Sequence, residues 1–272
     1  MNLKQIGDLS LRRRIVTVLY YLGDIQAGSS VLDAGSGDGL YSSLLAQRYF
    51  CHVYALEPDM DMSRKAQRNF EKAKMRGLIS VANFKIEEMP QTTHWNEKFD
   101  FIVCSEVLEH THSTAVALEH LFRVLKPGGV CAVTIPNCNY PLWWDPVSRV
   151  QEWVGMQPKS GIWNMHTRLY APQDIFFLAE NVGFVVERVD LLTHYCIPFS
   201  MQILRAGALI GSCIPIPGTD RHGDGPSKWN PLRWVEWVFE RVDRLNDRAG
   251  IETSKCAATV NVALKLRKPQ KW

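Results

Sequence analysis

With 272 residues, 46% of them hydrophobic, the chain is long enough to bury a sizeable core as one large domain or two small ones. A net charge of +3 is too small to indicate a nucleic-acid-binding protein, and no apolar run reaches the roughly 20 residues that cross a bilayer. The seven scattered cysteines and the lack of a secretory signal are typical of reduced thiols in the cytoplasm.

The predicted elements begin with an amphipathic helix over residues 3–22, followed by a regular alternation of strands and helices. Strands are predicted at 30–35, 52–57, 79–85, 99–106, 129–136, 184–192 and 256–268. Helices are predicted at 40–49, 60–77, 113–126 and 172–184. The alternation predicts an α/β fold with a doubly wound, mostly parallel, seven-stranded sheet of the Rossmann-like type.

Two tryptophan-rich insertions, 137–170 and 192–255, interrupt this alternation. We therefore expect an N-terminal helix in residues 1–28 and one domain in 29–272 with these insertions as caps. The second is too long for a passive loop, and its sequence predicts a helix from Pro231. Two compatible interpretations remain open for it: a cap over the substrate pocket, or an interfacial surface that contacts a membrane and admits a lipid-like acceptor.

The glycine-rich stretch "VLDAGSGDG", Val31 to Gly39, follows the first predicted strand. Ligands of doubly wound sheets bind at the carboxyl ends of the strands, so this loop is the expected site. Its third glycine comes one residue too early for a dinucleotide fingerprint, and Asp38 would repel a pyrophosphate. Glu57 ends the next strand about 20 residues later, where an acid can hold both ribose hydroxyls. The pattern predicts a nucleoside ligand without phosphates.

Together with "ALEPD", "FDFIVCSEVLEH" and "LKPGGVCAVTIPN", the stretch from Ser29 to Asp190 resembles class I S-adenosylmethionine-dependent methyltransferases. The resemblance implies that Asp33 and the glycine loop receive the methionine end of the cofactor and that Glu57 holds its ribose. Lys85 departs from the pattern, because the relatives usually carry an acid there that contacts the adenine amine. The implied cofactor-binding set is Asp33, Gly35, Ser36, Gly37, Gly39, Glu57, Pro58, Ile86 and Glu87 at the adenine, and Ser105. A net negative site formed by Asp33, Asp38, Glu57 and Glu106 would suit the sulfonium cation.

The segment "SEVLEHTHS" contains the candidate catalytic residues. Glu106, Glu109 and His110 are spaced i, i+3, i+4 and would share one face of a helical turn. The turn resembles that of ubiquinone-biosynthesis O-methyltransferases and small-RNA 3′-end methyltransferases, in which an ExxEH turn and a later histidine, here His166, can hold Mg²⁺ or Mn²⁺. Three interpretations stay open: a metal site made of all four residues, His110 as a general base without metal, or a structural His110. His112, His120 and His194 are interpreted as solvent-facing or outer residues.

The sequence therefore predicts methyl transfer from S-adenosylmethionine to a small, apolar or lipid-like acceptor, most simply at oxygen. Glu106, His110 and His166 are the candidate catalytic residues. An RNA methyltransferase is the first alternative, although the small net charge argues against it. A cofactor-binding regulatory protein without catalysis is the second. The sequence leaves the identity of the acceptor and the oligomeric state open.

Overall fold

A computed structural model describes residues 9–75, 77–89, 95–158, 168–195 and 258–270, with helical pieces at 237–238, 241–242 and 244–245. His166 and most of the 192–255 insertion lie outside the described residues. The strands are β1 (Ser30–Ala34), β2 (His52–Leu56), β3 (Ile79–Ala82), β4 (Phe99–Ser105), β5 (Leu125–Pro136), β6 (Val185–Leu192) and β7 (Asn261–Arg267). The helices are α1 (Leu9–Leu22), α2 (Leu40–Tyr49), α3 (Met60–Lys72), α4 (Thr114–Val124), α5 (Pro146–Trp153) and α6 (Pro172–Val182).

The seven strands form one sheet in the order β3-β2-β1-β4-β5-β7-β6. All neighbouring strands are parallel except β7, which pairs antiparallel with both β5 and β6. This arrangement confirms the predicted doubly wound, mostly parallel sheet. The strand order reverses between β1 and β4, so the crevice at their carboxyl ends is the expected ligand position.

Helices cover both faces of the sheet, as a parallel sheet requires. On one face, α4 and α6 pack over the central strands through Leu118, Leu121 and Ile175. On the other face, α1 and α2 share a second apolar cluster with the sheet. Ile15 and Val18 of α1 are fully buried in it. The N-terminal helix is therefore part of the main core.

The first insertion contains α5, which Asp145 caps by accepting a hydrogen bond from the backbone N–H of Ser148. Tyr140 is buried beside it and donates to Glu152 at 3.0 Å. Trp143 and Trp153 remain 52% and 69% exposed, so this insertion presents large apolar side chains at the surface. Of the helix predicted from Pro231, the few positions that the structure describes are helical.

Within the described parts of the chain, no helix combines the length and the apolar character needed to cross a membrane.

Candidate functional site

The glycine loop connects β1 to α2 and bends sharply at Gly35 and Gly39, whose φ angles are 78° and 87°. A β-carbon added at Gly35 would lie 2.4 Å from Cγ2 of Val107, and one at Gly39 would lie 2.4 Å from the ring of Phe70. The backbone N–H groups of Gly35 and Ser36 both donate to the carbonyl of Leu56. Because the loop packs so closely against Leu56, Val107 and Phe70, only glycine fits at both bends.

Glu57 follows β2 directly, and its carboxylate faces this loop. Oε2 accepts a hydrogen bond from the backbone N–H of Gly37 at 2.8 Å, and Oε1 accepts one from the backbone N–H of Asp59 at 2.9 Å. The side chain of Asn83 donates to the Glu57 carbonyl at 2.9 Å. A carboxylate has about four lone-pair sites, so both oxygens can still accept from a vicinal diol. The carboxylate is thus fixed in place before a ligand binds.

Asp33 lies at the base of the loop and is almost completely buried. The hydroxyl of Ser42 donates to Oδ2 of Asp33 at 2.6 Å. Burial raises the pKa of the Asp33 carboxyl to about 6, against the opposing effect of the Ser42 hydrogen bond. Within the loop, Oγ of Ser36 is buried without a hydrogen-bond partner in the described structure. Buried polar atoms of this kind are expected where a ligand supplies the partner.

A cleft of about 120 Å³ opens beside the loop. Of the predicted site residues, Gly35, Pro58, Ile86, Glu87 and His110 line it. Glu87 is also tied to the opposite wall, because its Oε1 accepts from the backbone N–H of His112 at 2.8 Å. The remaining lining residues are Leu56, Phe84, Lys85, Val107, Thr111 and His112.

Two of the four acids expected to make the site negative are paired with cations instead. Asp38 forms an ion pair with Lys65 at 3.0 Å, and Glu106 forms one with Arg14 at 3.2 Å. The negative charge of the site therefore comes from Asp33 and Glu57 beside the cleft and from Glu87 in its wall, which also contains Lys85. The expectation of four acids was wrong because both partners come from helices that sequence spacing does not place at the site.

Ser105 ends β4 and Glu106 follows it, but neither lines the cleft. Ser105 Oγ lies 2.8 Å from Oγ1 of Thr134 and donates to the hydroxyl oxygen of Tyr41 at 3.3 Å. Glu106 has a φ of 57°, and this left-handed backbone turns its side chain toward Arg14. The roles predicted for the two side chains at the cofactor or acceptor stay predictions.

The expected helical turn from Glu106 to His110 is different in the structure. A short 3₁₀ turn covers Leu108–His110 only. Glu109 is fully buried, and burial together with the neighbouring Glu106 raises the pKa of its carboxyl well above the usual value. The side chain of His110 is 39% exposed, and its Nε2 lies 4.0 Å from Oε1 of Glu109. His110 alone of the three reaches the cleft.

The predicted metal set does not come together in the part of the chain that the structure describes. No group of three or more histidine, cysteine, aspartate or glutamate side chains there could hold a metal ion. Glu106 faces Arg14 and Glu109 is buried in the core, so these two and His110 do not converge on one point. His166 lies outside the described residues. The described members of the set therefore form no metal site among themselves, and the four-residue metal set stays a prediction.

Two residues of the cleft lining carried no predicted role there. His112 is exposed, in line with its interpretation from the sequence, but it also lines the cleft. Val107 contacts the glycine loop, but an apolar residue gives no chemical signal in the sequence. The position of Val107 within "EVLEH" and of His112 just after it, at the switch point, is a signal that could have identified them. His120 does not line the cleft, and its Nδ1 lies 2.8 Å from the carbonyl of the lining residue Ile86.

These features define a Rossmann-like domain with a nucleoside-type cleft at the switch point, as class I methyltransferases have. Residues 10–189 match the family model described as "Methyltransferase domain". This match covers more than half of the chain, and the protein belongs to this family. The class predicted from the sequence motifs is thereby confirmed.

Individual relatives agree with the family. The chain is 28% identical over 174 residues to a ubiquinone biosynthesis O-methyltransferase of Psychrobacter arcticus, covering 62% of this chain and 63% of that one. It is 31% identical over 103 residues to a tRNA1(Val) (adenine(37)-N6)-methyltransferase of Shewanella baltica, covering 37% and 43%. The chain thus spans less than two thirds of the length of these curated relatives.

Among solved structures, the fold is similar to that of phosphoethanolamine N-methyltransferase 2 of Haemonchus contortus, in complex with S-adenosyl-L-methionine. The TM-score is 0.60 at 16% sequence identity, and the match covers 94% of this chain and 52% of that one. At this identity the likeness concerns the fold.

Proposed function

We propose that this protein is an S-adenosylmethionine-dependent methyltransferase that acts on an oxygen of a small, apolar or lipid-like acceptor. The observation that carries the proposal is the preorganised carboxylate of Glu57, which two backbone N–H groups hold beside a glycine loop at the switch point. Membership in the methyltransferase-domain family supports it independently.

The residues in and beside the cleft fit this cofactor; Asp33 and Glu57 are not among the lining residues, but they lie next in the chain or close to Gly35, Leu56 and Pro58, which are. Glu57 would accept hydrogen bonds from the ribose hydroxyls, and the buried Asp33 would bind the cationic amino group of the methionine end. Ile86 and Glu87 border the part of the cleft where adenine would lie. When bound, the cofactor supplies a methyl group on a positively charged sulfur. The carboxylates of Asp33 and Glu57 suit a cation and disfavour phosphates.

His110 is the group in the cleft best suited to accept a proton. It is partly exposed there, so an acceptor hydroxyl could approach its ring. Removal of that proton would convert the hydroxyl to a stronger nucleophile, and the walls of the cleft would hold the oxygen in line for displacement. Glu106 and Glu109 do not line the cleft, so they would affect the reaction only indirectly.

An acceptor of phenolic or prenyl-lipid type is supported by two observations. The relative of Psychrobacter arcticus is named for ubiquinone biosynthesis and O-methylation. The first insertion exposes Trp143 and Trp153 together with Val150 and Val154, and such residues are typical of surfaces that meet lipids.

The test is transfer of labelled methyl groups from S-adenosylmethionine to a panel of acceptors. We expect label in a prenylated catechol and none in bulk tRNA. Label in tRNA alone would favour the RNA alternative, which the Shewanella baltica relative supports. Failure to bind S-adenosylhomocysteine in calorimetry would overturn both enzymatic functions.

Cofactor affinity should depend on pH through Asp33. The carboxyl pKa is about 6, so the carboxylate that would bind the cationic amino group is protonated below that pH. We expect the affinity for S-adenosylhomocysteine to fall by about tenfold for each pH unit below 6 until the pKa of the complex is reached. Calorimetry from pH 4.5 to 8 measures this dependence.

The matched control is Asp33→Asn, whose affinity should be low and independent of pH in this range. The contribution of Asp33 to the stability of the ligand-free protein should depend on pH in the opposite direction to the affinity. Because folding raises the Asp33 pKa from 3.8 to about 6, its contribution to the free energy of unfolding is present below pH 3.8 and lost as the pH rises through 6. A wild-type affinity that stays constant down to pH 5 would refute the role of Asp33.

A further inference from the structure

A polar bridge joins the N-terminal helix to the end of β4. The Ser10 hydroxyl of α1 donates to Oδ1 of Asn261 at 2.6 Å, and Nδ2 of Asn261 donates to Oε2 of Glu106 at 3.0 Å. One turn further along α1, Nη1 of Arg14 lies 3.2 Å from the same oxygen of Glu106. Two side chains of α1 therefore act on one carboxylate, the first through Asn261 and the second directly.

The contacts of this bridge help to hold the backbone of Glu106 in an unusual conformation. Its φ of 57° lies in the left-handed region, which is unfavourable for a residue with a side chain and persists when surrounding contacts stabilise it. The N–H of Glu106 donates to the Thr134 carbonyl at 2.8 Å, and the Thr134 hydroxyl donates to Oε1 at 3.2 Å. With Arg14 and Asn261 on Oε2, contacts from α1, β5 and β7 hold the residue in this conformation.

The next residue transmits this conformation to the cleft. Val107 lies directly against Gly35, so closely that a β-carbon on the glycine would overlap with it. Val107 and Gly35 line the cleft together with His110. A change in the Glu106 backbone would therefore move the wall that supports the glycine loop.

We propose that Arg14 is a positioning residue of the cofactor cleft, which acts by holding Glu106 in the conformation that places Val107 against Gly35. The inference rests on the proposed function, because its test measures the binding of S-adenosylhomocysteine, the product left when the cofactor has given up its methyl group. It assigns α1 a part in cofactor binding in addition to its part in the core.

The expected effect of Arg14 on Glu106 is electrostatic. Glu106 lies near the fully buried Glu109 and, together with burial, raises the pKa of the Glu109 carboxyl, whereas Arg14 lowers it. Removing one partner of an ion pair leaves a charge without compensation, whereas removing both partners relieves the conflict. Loss of Arg14 alone should therefore drive Glu106 out of its position, and simultaneous loss of the Glu106 charge should restore it.

The experiment measures S-adenosylhomocysteine affinity by calorimetry for the wild type, Arg14→Met, and Arg14→Met combined with Glu106→Gln. Tyr21→Phe is the matched control, since it removes another buried hydrogen bond of α1 to the sheet, from Tyr21 to Asp190 at 2.7 Å. We expect affinity to fall at least tenfold in Arg14→Met and to return to within about threefold of wild type in the double variant. Tyr21→Phe should stay within about twofold of wild type.

Equal affinities of wild type and Arg14→Met would overturn the inference, as would a double variant no better than Arg14→Met. A Tyr21→Phe affinity as low as that of Arg14→Met would show general loosening of α1 and also count against it. If Arg14→Met does not fold, Arg14→Lys replaces it, with an expected three- to tenfold loss, because a lysine lacks the planar fork; unchanged affinity would then be the refutation. A wild type that does not bind overturns the proposed function as well, whereas binding that is insensitive to Arg14 overturns this inference alone.

Discussion

Glu57→Ala should weaken the binding of S-adenosylhomocysteine by about 100- to 10,000-fold. Each charge-assisted hydrogen bond contributes about 1.5–3 kcal/mol, and the carboxylate would make two of them to the ribose. The substitution also removes the acceptors of the Gly37 and Asp59 N–H groups, so the glycine loop loses its support from β2. Calorimetry of the purified variant measures the loss directly.

Two variants separate these contributions. Glu57→Gln keeps the size of the side chain and one acceptor oxygen, so an intermediate loss of about tenfold is expected. Asp61→Asn removes a nearby carboxylate that is 92% exposed and should leave affinity unchanged. A Glu57→Ala variant that still binds within threefold of wild type would refute the ribose role.

The fold was predictable because its determinants are local. Mostly apolar stretches in β1, β4 and β5 match largely buried strands, and all three strands lie at the centre of the sheet. The start of α2 was predicted to the residue because Gly39 takes the left-handed conformation that ends the loop. The mostly parallel character of the sheet then followed from the alternation of strands and helices, whereas the antiparallel position of β7 between β5 and β6 did not.

The contact between the glycine loop and Glu57 was predictable for a similar reason. The loop and Glu57 lie on consecutive strands, so a parallel pairing brings them together whatever the rest of the chain does. No comparable local rule fixes Glu106. Its direction depends on a positive φ and on Arg14, which comes from the first helix of the chain.

Some residues of the cleft walls could likewise be predicted from local sequence, and others could not. Phe84, Lys85, Ile86 and Glu87 come from one short stretch after β3, so a single turn could be assigned to the adenine side. Val107 reaches the cleft through contact with Gly35, which is a tertiary contact between two loops. Sequence spacing predicts residues that share an element, and it does not predict such contacts between elements.

His110→Gln should lower the turnover number for an identified acceptor by about 100- to 10,000-fold, the usual contribution of a general base. The amide side chain fills similar space but cannot take up a proton from the acceptor. Affinity for S-adenosylhomocysteine should change by less than about threefold, because Glu57 and Asp33 would provide the main polar contacts. The measurement is a methyl-transfer rate under saturating concentrations of both substrates.

His52→Gln is the matched control, since His52 is exposed at the start of β2, on the edge of the sheet opposite the cleft. Its turnover number should equal that of the wild type. If His110→Gln keeps full turnover, His110 is a structural residue, and alignment of the reactants must account for the rate. If the variant loses turnover and cofactor affinity together, His110 stabilises the cleft wall that it shares with Val107, and it is not the base.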